Sequence, residues 1–124
     1  MRAMVRTLNH EGDLDVIASY VSAMPAVTPP TTIEGDAEHG RELYRACVQC
    51  HGGNAAGNEE QDAPPLNGLN DWYIVAQLQL FKAGDRGTTP GDETGATMRP
   101  MALGLSDEEA MGDVAAFIAT LRGQ

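Results

Sequence analysis

Cys47-Val48-Gln49-Cys50-His51 places two thiols three residues apart, with an imidazole directly after the second. Thiols at this spacing can each form a thioether bond to a vinyl group of one porphyrin, and the histidine that follows then points a ring nitrogen at the iron. The pentapeptide therefore predicts covalently attached haem c, with Cys47 and Cys50 as attachment points and His51 as the proximal ligand. Two other uses of these residues fit less well. A structural zinc site needs four ligands, and beyond these three the chain offers His10, His39 and carboxylates, with no second Cys-x-x-Cys and no spaced histidine pair. A thioredoxin-like dithiol needs a preceding strand and a βαβ frame, whereas residues 36–46 read as a helix and the stretch after His51 is rich in glycine.

An iron that only carries electrons is best served by a second axial ligand that stays bound in both oxidation states. A thioether does this, because soft sulfur favours ferrous iron and raises the potential. Met98 and Met101 are the candidates far along the chain. His10 and His39 read as surface residues on acidic helices, and their spacing does not support bis-histidine ligation. Gly52-Gly53 and Ala55-Ala56-Gly57 read as a flexible loop beside the cofactor. A phosphate-binding use of these glycines would need a strand and a P-loop lysine, which are missing.

The elements that must position these groups read as helices joined by long loops. Asn9 is a cap for a helix running to about Met24, weakened by Gly12 and by Val16-Ile17. Asp36 caps a second helix, on which Ala37, Gly40 and Tyr44 share a face and which ends in the Cys-x-x-Cys-His motif. A third runs from Asn70 or Asp71 to Lys82, with Ile74, Leu78 and Phe81 on one face and Gly84 as its stop. Ser106-Asp107-Glu108-Glu109 is a capping box that opens the last helix, whose apolar stripe is Met111, Val114, Phe117, Ile118 and Leu121. Arg122-Gly123 closes it. Trp72 and Tyr73 lie where the third helix can either pack on the haem edge, with a polar tip for a propionate, or serve as ordinary core aromatics.

With 124 residues there is room for one domain and an appendage. No run of about 18 apolar residues exists, so a soluble protein is expected. The net charge of -10 argues against nucleic acid or anionic lipid as a partner and favours a redox protein with a basic docking patch, through an encounter that weakens with salt. Residues 1–8 show no charged segment followed by an apolar stretch and a cleavage site. Haem c is attached outside the cytoplasm, so the expectation is a periplasmic protein whose numbered chain lacks its export signal or belongs to a longer one.

The two ends also repeat. Setting residue n beside residue n+97 pairs Met1-Arg2-Ala3-Met4 with Met98-Arg99-Pro100-Met101, and Ile17-Ala18-Ser19-Tyr20-Val21 with Val114-Ala115-Ala116-Phe117-Ile118. Such repetition points to a duplicated domain. Residues 1–24 then read as the closing segment of a preceding cytochrome-like domain, 25–34 as a proline-stiffened linker, and 35–124 as the haem domain. Residues 1–24 could dock on that partner domain or on a second copy.

Taken in order, Gly40 and Tyr44 before the haem motif, then Pro64-x-Leu66-x-Gly68, then Tyr73 through Gln77-Leu78-x-x-Phe81-x-x-Gly84-x-Arg86, then Met98 and Leu105-Ser106-Asp107-Glu108, resemble the class I cytochromes c. The likeness covers residues 36–122 and is nearest to the C-terminal domain of the bacterial two-haem c-four group. It implies an all-α shell around one haem c, with an extra N-terminal helical segment, and first and last helices crossing where Gly40 admits Phe117. It implies that the Pro64 carbonyl holds His51, with Pro65 as the alternative. It also implies that Leu66 lies in the cofactor region and that Met98, seven residues before Leu105, is the sixth ligand, with Met101 left as core filler. Arg86 matches a family arginine near the propionates, although a solvated surface arginine fits it nearly as well. The expected role is one-electron transfer without substrate turnover. Alternatives are a haem subunit or domain of a larger dehydrogenase or oxidase complex and, in another class, a haem enzyme or gas sensor with an open sixth site.

Overall fold

Asp36 begins the haem-bearing part of the chain by accepting hydrogen bonds from the amides of Glu38 and His39, at 2.9 and 3.1 Å. These are two of the orphan donors that any helix start leaves. In the computed structural model, which describes residues 7–8, 12–25 and 27–123, the helices in chain order are α1 (Asp13–Ser22), α2 (Ala37–Tyr44), α3 (Val48–His51), α4 (Asp71–Ala83), α5 (Glu93–Leu103) and α6 (Glu108–Thr120). A 3-10 turn covers Glu59–Gln61, and one isolated bridge pairs Asn58 with Ala63. No strand occurs among the described residues, in keeping with the all-α expectation.

α2 lies against α6, and Gly40 makes this possible. A Cβ at that position would collide with the backbone carbonyl of Asp113 and would come within 3.0 Å of the Phe117 Cβ. The expected approach of Phe117 is present, but the tighter neighbour is the Asp113 backbone. The buried Asp113 carboxylate then ties the pair together, accepting from the Asp36 amide at 2.7 Å and meeting His39 Nδ1 at 2.7 Å. His39 is thus on the surface as expected, yet it also clasps two helices. α6 is buried on more sides than its predicted stripe: besides Met111, Val114, Ile118 and Leu121, it hides Ala110, Gly112, Ala115 and Ala116, while Phe117 is half-buried. α4 contributes Ile74, Leu78 and Phe81 to the same core, as its period predicts.

Three boundaries differ from the sequence reading. α1 starts at Asp13 because Gly12 takes a left-handed φ of 90° that a helix cannot continue through. The expected cap Asn9, like the repeat residues Met1 to Met4, lies outside the described residues. α6 is capped by Asp107, which accepts from Ala110 N at 2.9 Å, while Ser106 donates its hydroxyl to Asp107. The capping box read one residue early. α5 falls where the sequence reading names no helix. Its cap is Asp92, whose carboxylate accepts from Gly95 N, but Gly95 and Pro100 inside the helix lower its apparent propensity. Lys82 then donates to the carbonyls of Leu105 and Ser106, fastening the turn between α5 and α6 to α4.

The proline-rich segment forms no helix over residues 27–35 and is pinned against the domain rather than free. Asp71 at the start of α4 is wholly buried, and its carboxylate accepts from Thr32 N, Thr32 Oγ1, Ile33 N and Trp72 N. Arg122 donates to the carbonyls of Pro29 and Leu69, so the residue expected to finish α6 also holds the segment from the other side. Burial acts to raise the Asp71 pKa, but the donors from Ile33, Thr32 and Trp72 outweigh it and hold the carboxyl well below the usual carboxylate range.

A depressed folded-state pKa gives stability that is fully present above the unfolded value of about 3.9 and is lost as pH falls below it. Asp71→Asn keeps one acceptor oxygen and leaves buried amides unpaired, so it should cost about 2–4 kcal/mol at neutral pH. It should also flatten the acid side of the profile. Denaturant titrations of both proteins between neutral and acid pH check this; parallel acid limbs would contradict it.

Candidate haem centre

The thiols sit where helix and loop meet. After α2 the chain turns through residues 45–47, and Cys47 occupies the N-cap position of α3. The amides of Cys50 and His51 both reach back to the Cys47 carbonyl, at 3.2 and 2.9 Å. This single turn puts residues 47 and 50 on one side, since side chains three apart on a helical turn are neighbours. Both thiols are free and half-buried. Burial, with a smaller contribution from Cys50, pushes the Cys47 thiol up from its ordinary value.

His51 is buried, with 6% of its surface exposed, and its Nδ1 lies 2.9 Å from the Pro64 carbonyl. A carbonyl can only accept, so Nδ1 carries the proton and Nε2 keeps its lone pair. The partner is Pro64 and not Pro65. Nε2 has no hydrogen-bond partner among the described residues.

The loop that delivers Pro64 is not the flexible one expected from its glycines. Ala55 is fully buried at φ 56°, and its carbonyl accepts from Leu66 N at 2.8 Å and Asn67 N at 3.2 Å. Gly57 N donates to the His51 carbonyl at 2.9 Å, and Asn58 and Ala63 exchange both backbone bonds. Gly57 has φ 83°, and a Cβ there would lie 2.6 Å from Ala63 O and 2.8 Å from the Pro64 carbonyl carbon. Only a residue without a side chain lets Pro64 come this close. Tyr44 adds a tie from α2, donating its hydroxyl to Gly52 O at 2.9 Å. Burial, helped by Cys47, pushes that phenol up to about 12, so it remains a donor through the physiological range.

The other predicted residues are spread over neighbouring elements. Leu66 and Met98 are half-buried against the apolar core, together with Leu43, Leu69, Val75 and Phe117. Met101, expected as core filler, is 45% exposed; the fully buried residue on that turn of α5 is Ala102, because the helix turns position 101 outward. Trp72 and Tyr73 stand edge to face with centroids 5.9 Å apart, and both are exposed. Arg86 lies over the Phe81 ring at 4.4 Å and donates to Gln77 Oε1 at 2.5 Å. His10 lies outside the described residues. Sequence reasoning passed over the roles of Ala55 and Gly57, because a glycine reads as flexibility until its neighbours are known, and over Arg99, whose Nε is buried without a partner.

The donor set fits haem c: two free thiols on one helical turn, a buried imidazole with its tautomer fixed, and a half-buried thioether amid apolar side chains. No group of three or more metal-ligating His, Cys, Asp or Glu side chains occurs among the described residues, so the zinc alternative finds no support there. No helix among them is long and apolar enough to cross a membrane.

Comparison with known proteins agrees. The family model for cytochrome c matches residues 37–122. The chain is 34% identical over 86 residues to cytochrome c-554(548) of Halomonas halodenitrificans, covering 69% of this chain and 96% of that protein. It is 36% identical over 95 residues to cytochrome c4 of Stutzerimonas stutzeri, covering 72% of this chain and 42% of the relative. A protein named thiosulfate dehydrogenase electron acceptor, also from Stutzerimonas stutzeri, is 31% identical over 99 residues, again with 42% of its length covered. The chain thus spans nearly all of one relative and less than half of the other two. By its haem motif, its helical shell and this match, the chain belongs to the cytochrome c family and carries iron in covalently bound haem c.

Proposed function

We propose that this chain is a one-electron carrier with a single haem c, whose iron is held by His51 Nε2 on one side and the Met98 sulfur on the other. The observation that carries the reading is the 2.9 Å bond from His51 Nδ1 to the Pro64 carbonyl, which leaves Nε2 as the only free donor of a buried ring. Thioether bonds from Cys47 and Cys50 tether the porphyrin beside it. Half-buried Met98 suits a ligand inside an apolar wall better than exposed Met101 one helical turn away. The bound haem supplies a six-coordinate iron that changes charge by one with little rearrangement. The chain's residues do the rest: they hold the imidazole, keep the sulfur bound, and exclude water with Leu66 and its apolar neighbours.

With both axial positions filled there is no place for a substrate, so the chain acts as a carrier and not as an enzyme. The net charge of -10 favours a donor or acceptor with a basic docking patch. On this reading the protein works in the periplasm, because haem c is ordinarily attached outside the cytoplasm. A second reading is electron acceptance from a dehydrogenase, favoured by the name of one relative.

Residues 1–24 are the end of a preceding cytochrome-like domain on this reading, and α1 supports it. Its Leu14, Ile17, Val21 and Met24 stand at the repeat positions of Met111, Val114, Ile118 and Leu121. The first four are 44% or more exposed, and the second four are 7% or less. A ten-residue helix that buries nothing lacks the roughly 1.5–3 kcal/mol each large apolar side chain can contribute, and is marginal alone. The counterpart of α2 and α4 from that domain is the surface that would cover it.

Met98→Ala should abolish the sulfur-to-iron charge-transfer band of the oxidised protein, lower the midpoint potential on the order of a tenth of a volt or more, and open the reduced iron to carbon monoxide. Met101→Ala should keep the band; the reverse pattern would move the ligand to Met101. Gly57→Ala should push Pro64 from His51, raise the potential by tens of millivolts on the order-of-magnitude scale, and cost about 1–3 kcal/mol. An unchanged potential would count against the Pro64 tie. An intact mass of the natural gene product should show two haem additions; a single addition would remove the preceding domain.

A further inference from the structure

We propose that Arg99 is the residue that binds a haem propionate, a role resting on the haem reading above. Among the described cationic side chains, Arg99 alone has no partner among the described residues. Arg41 pairs with Glu38 and Arg45 with Glu42. Lys82 and Arg122 donate to backbone carbonyls, and Arg86 is engaged by Gln77 and the Phe81 ring. The Arg99 guanidinium makes no hydrogen bond or ion pair with any described residue, although the chain has 18 carboxylates, and its Nε is shielded from solvent. A buried donor on a charged group costs about 1–3 kcal/mol or more when left unpaired. Arg122 Nε is buried without a partner too, but both of its Nη atoms are bonded, whereas no atom of the Arg99 guanidinium meets an acceptor among the described residues, which leaves it for an acceptor from elsewhere.

The turn that closes α4 is the neighbour of this side chain. The Cβ position of Gly84 lies at ordinary contact distance from the guanidinium, 3.7 Å from Nη2 and 3.9 Å from Nε, while Gly87 packs first on the Gly95 carbonyl and then on Arg99 Cβ at 3.0 Å. The described residues around the guanidinium therefore give it contact and no acceptor. Arg99 directly follows Met98, so the turn of α5 that offers sulfur also carries a fixed positive charge. The cofactor is the component that adds new carboxylates, and a guanidinium fork matches a carboxylate with two parallel hydrogen bonds. The same charge favours the ferrous state.

The test compares the haem-loaded wild type with Arg99→Gln, Arg99→Lys and Arg86→Gln, by redox-difference infrared spectra of the propionate carboxylates and by midpoint potential. Arg99→Gln should shift the carboxylate bands. It should also lower the reduced-to-oxidised ratio at fixed potential roughly tenfold, about 59 mV for a one-electron couple. Arg99→Lys should keep most of the potential but still shift the bands, because an ammonium is a point charge and not a fork. Bands unmoved in both Arg99 variants, or moved by Arg86→Gln in their place, would overturn the assignment. If Arg99→Gln fails to accumulate with haem, the bands of Arg99→Lys decide. The charge-transfer band of the wild type is recorded on the same samples: its absence overturns the ligation itself, whereas its presence with bands indifferent to Arg99 overturns this proposal alone.

Discussion

The hydrogen bond from His51 Nδ1 to the Pro64 carbonyl is the constraint around which the centre is built. Its net energy is on the order of 1 kcal/mol, no more than any other neutral pair. Its importance is directional: it decides which ring nitrogen holds the proton and in which plane the ring stands. Several features exist to keep that carbonyl in place. Gly57 gives it room, the buried carbonyl of Ala55 anchors the chain just after it, and the Tyr44 hydroxyl fixes the turn just after the histidine.

Around this centre the shell is made from few large residues. Tyr44, Phe81 and Phe117 supply its aromatic packing, with the Tyr44 and Phe117 rings 5.3 Å apart. α2 and α6 touch backbone to backbone at Gly40, which lets a small core form with little side-chain volume. Carboxylates are used as fasteners: Asp113 joins α2 to α6, Asp71 joins the proline-rich segment to α4, and exposed Asp107 caps α6. Asp71 and Asp113, the two that are buried, each accept from two or more groups, which is what makes a buried carboxylate tolerable.

The motif Cys47 to His51, the core faces of α4 and α6 and the cap at Asp36 were legible because each is a local pattern with a physical reason: attachment chemistry, helical period, orphan amides. α5 was not, because Gly95 and Pro100 are poor helix residues and only the contacts of α5 with α4, together with the Asp92 cap, favour the helix. The rigid loop after His51 was also illegible. Its order depends on residues such as Ala55 meeting Leu66 and Asn67 across a turn, a juxtaposition no periodicity encodes. The pinned segment is similar: Asp71 reads as a helix-start acid, and nothing local says that its carboxylate faces residues 38 or 39 positions earlier.

The clasp between His39 and Asp113 spans 74 positions of sequence. Bringing such distant stretches together costs conformational freedom of about 4 kcal/mol by the logarithmic law for flexible loops. The amide of Asp36 meets the same carboxylate across 77 positions, so the junction brackets the whole haem motif with long-range contacts of the kind that slow folding. The thiols and the proximal imidazole thus lie inside one large loop that the first and last helices of the domain close.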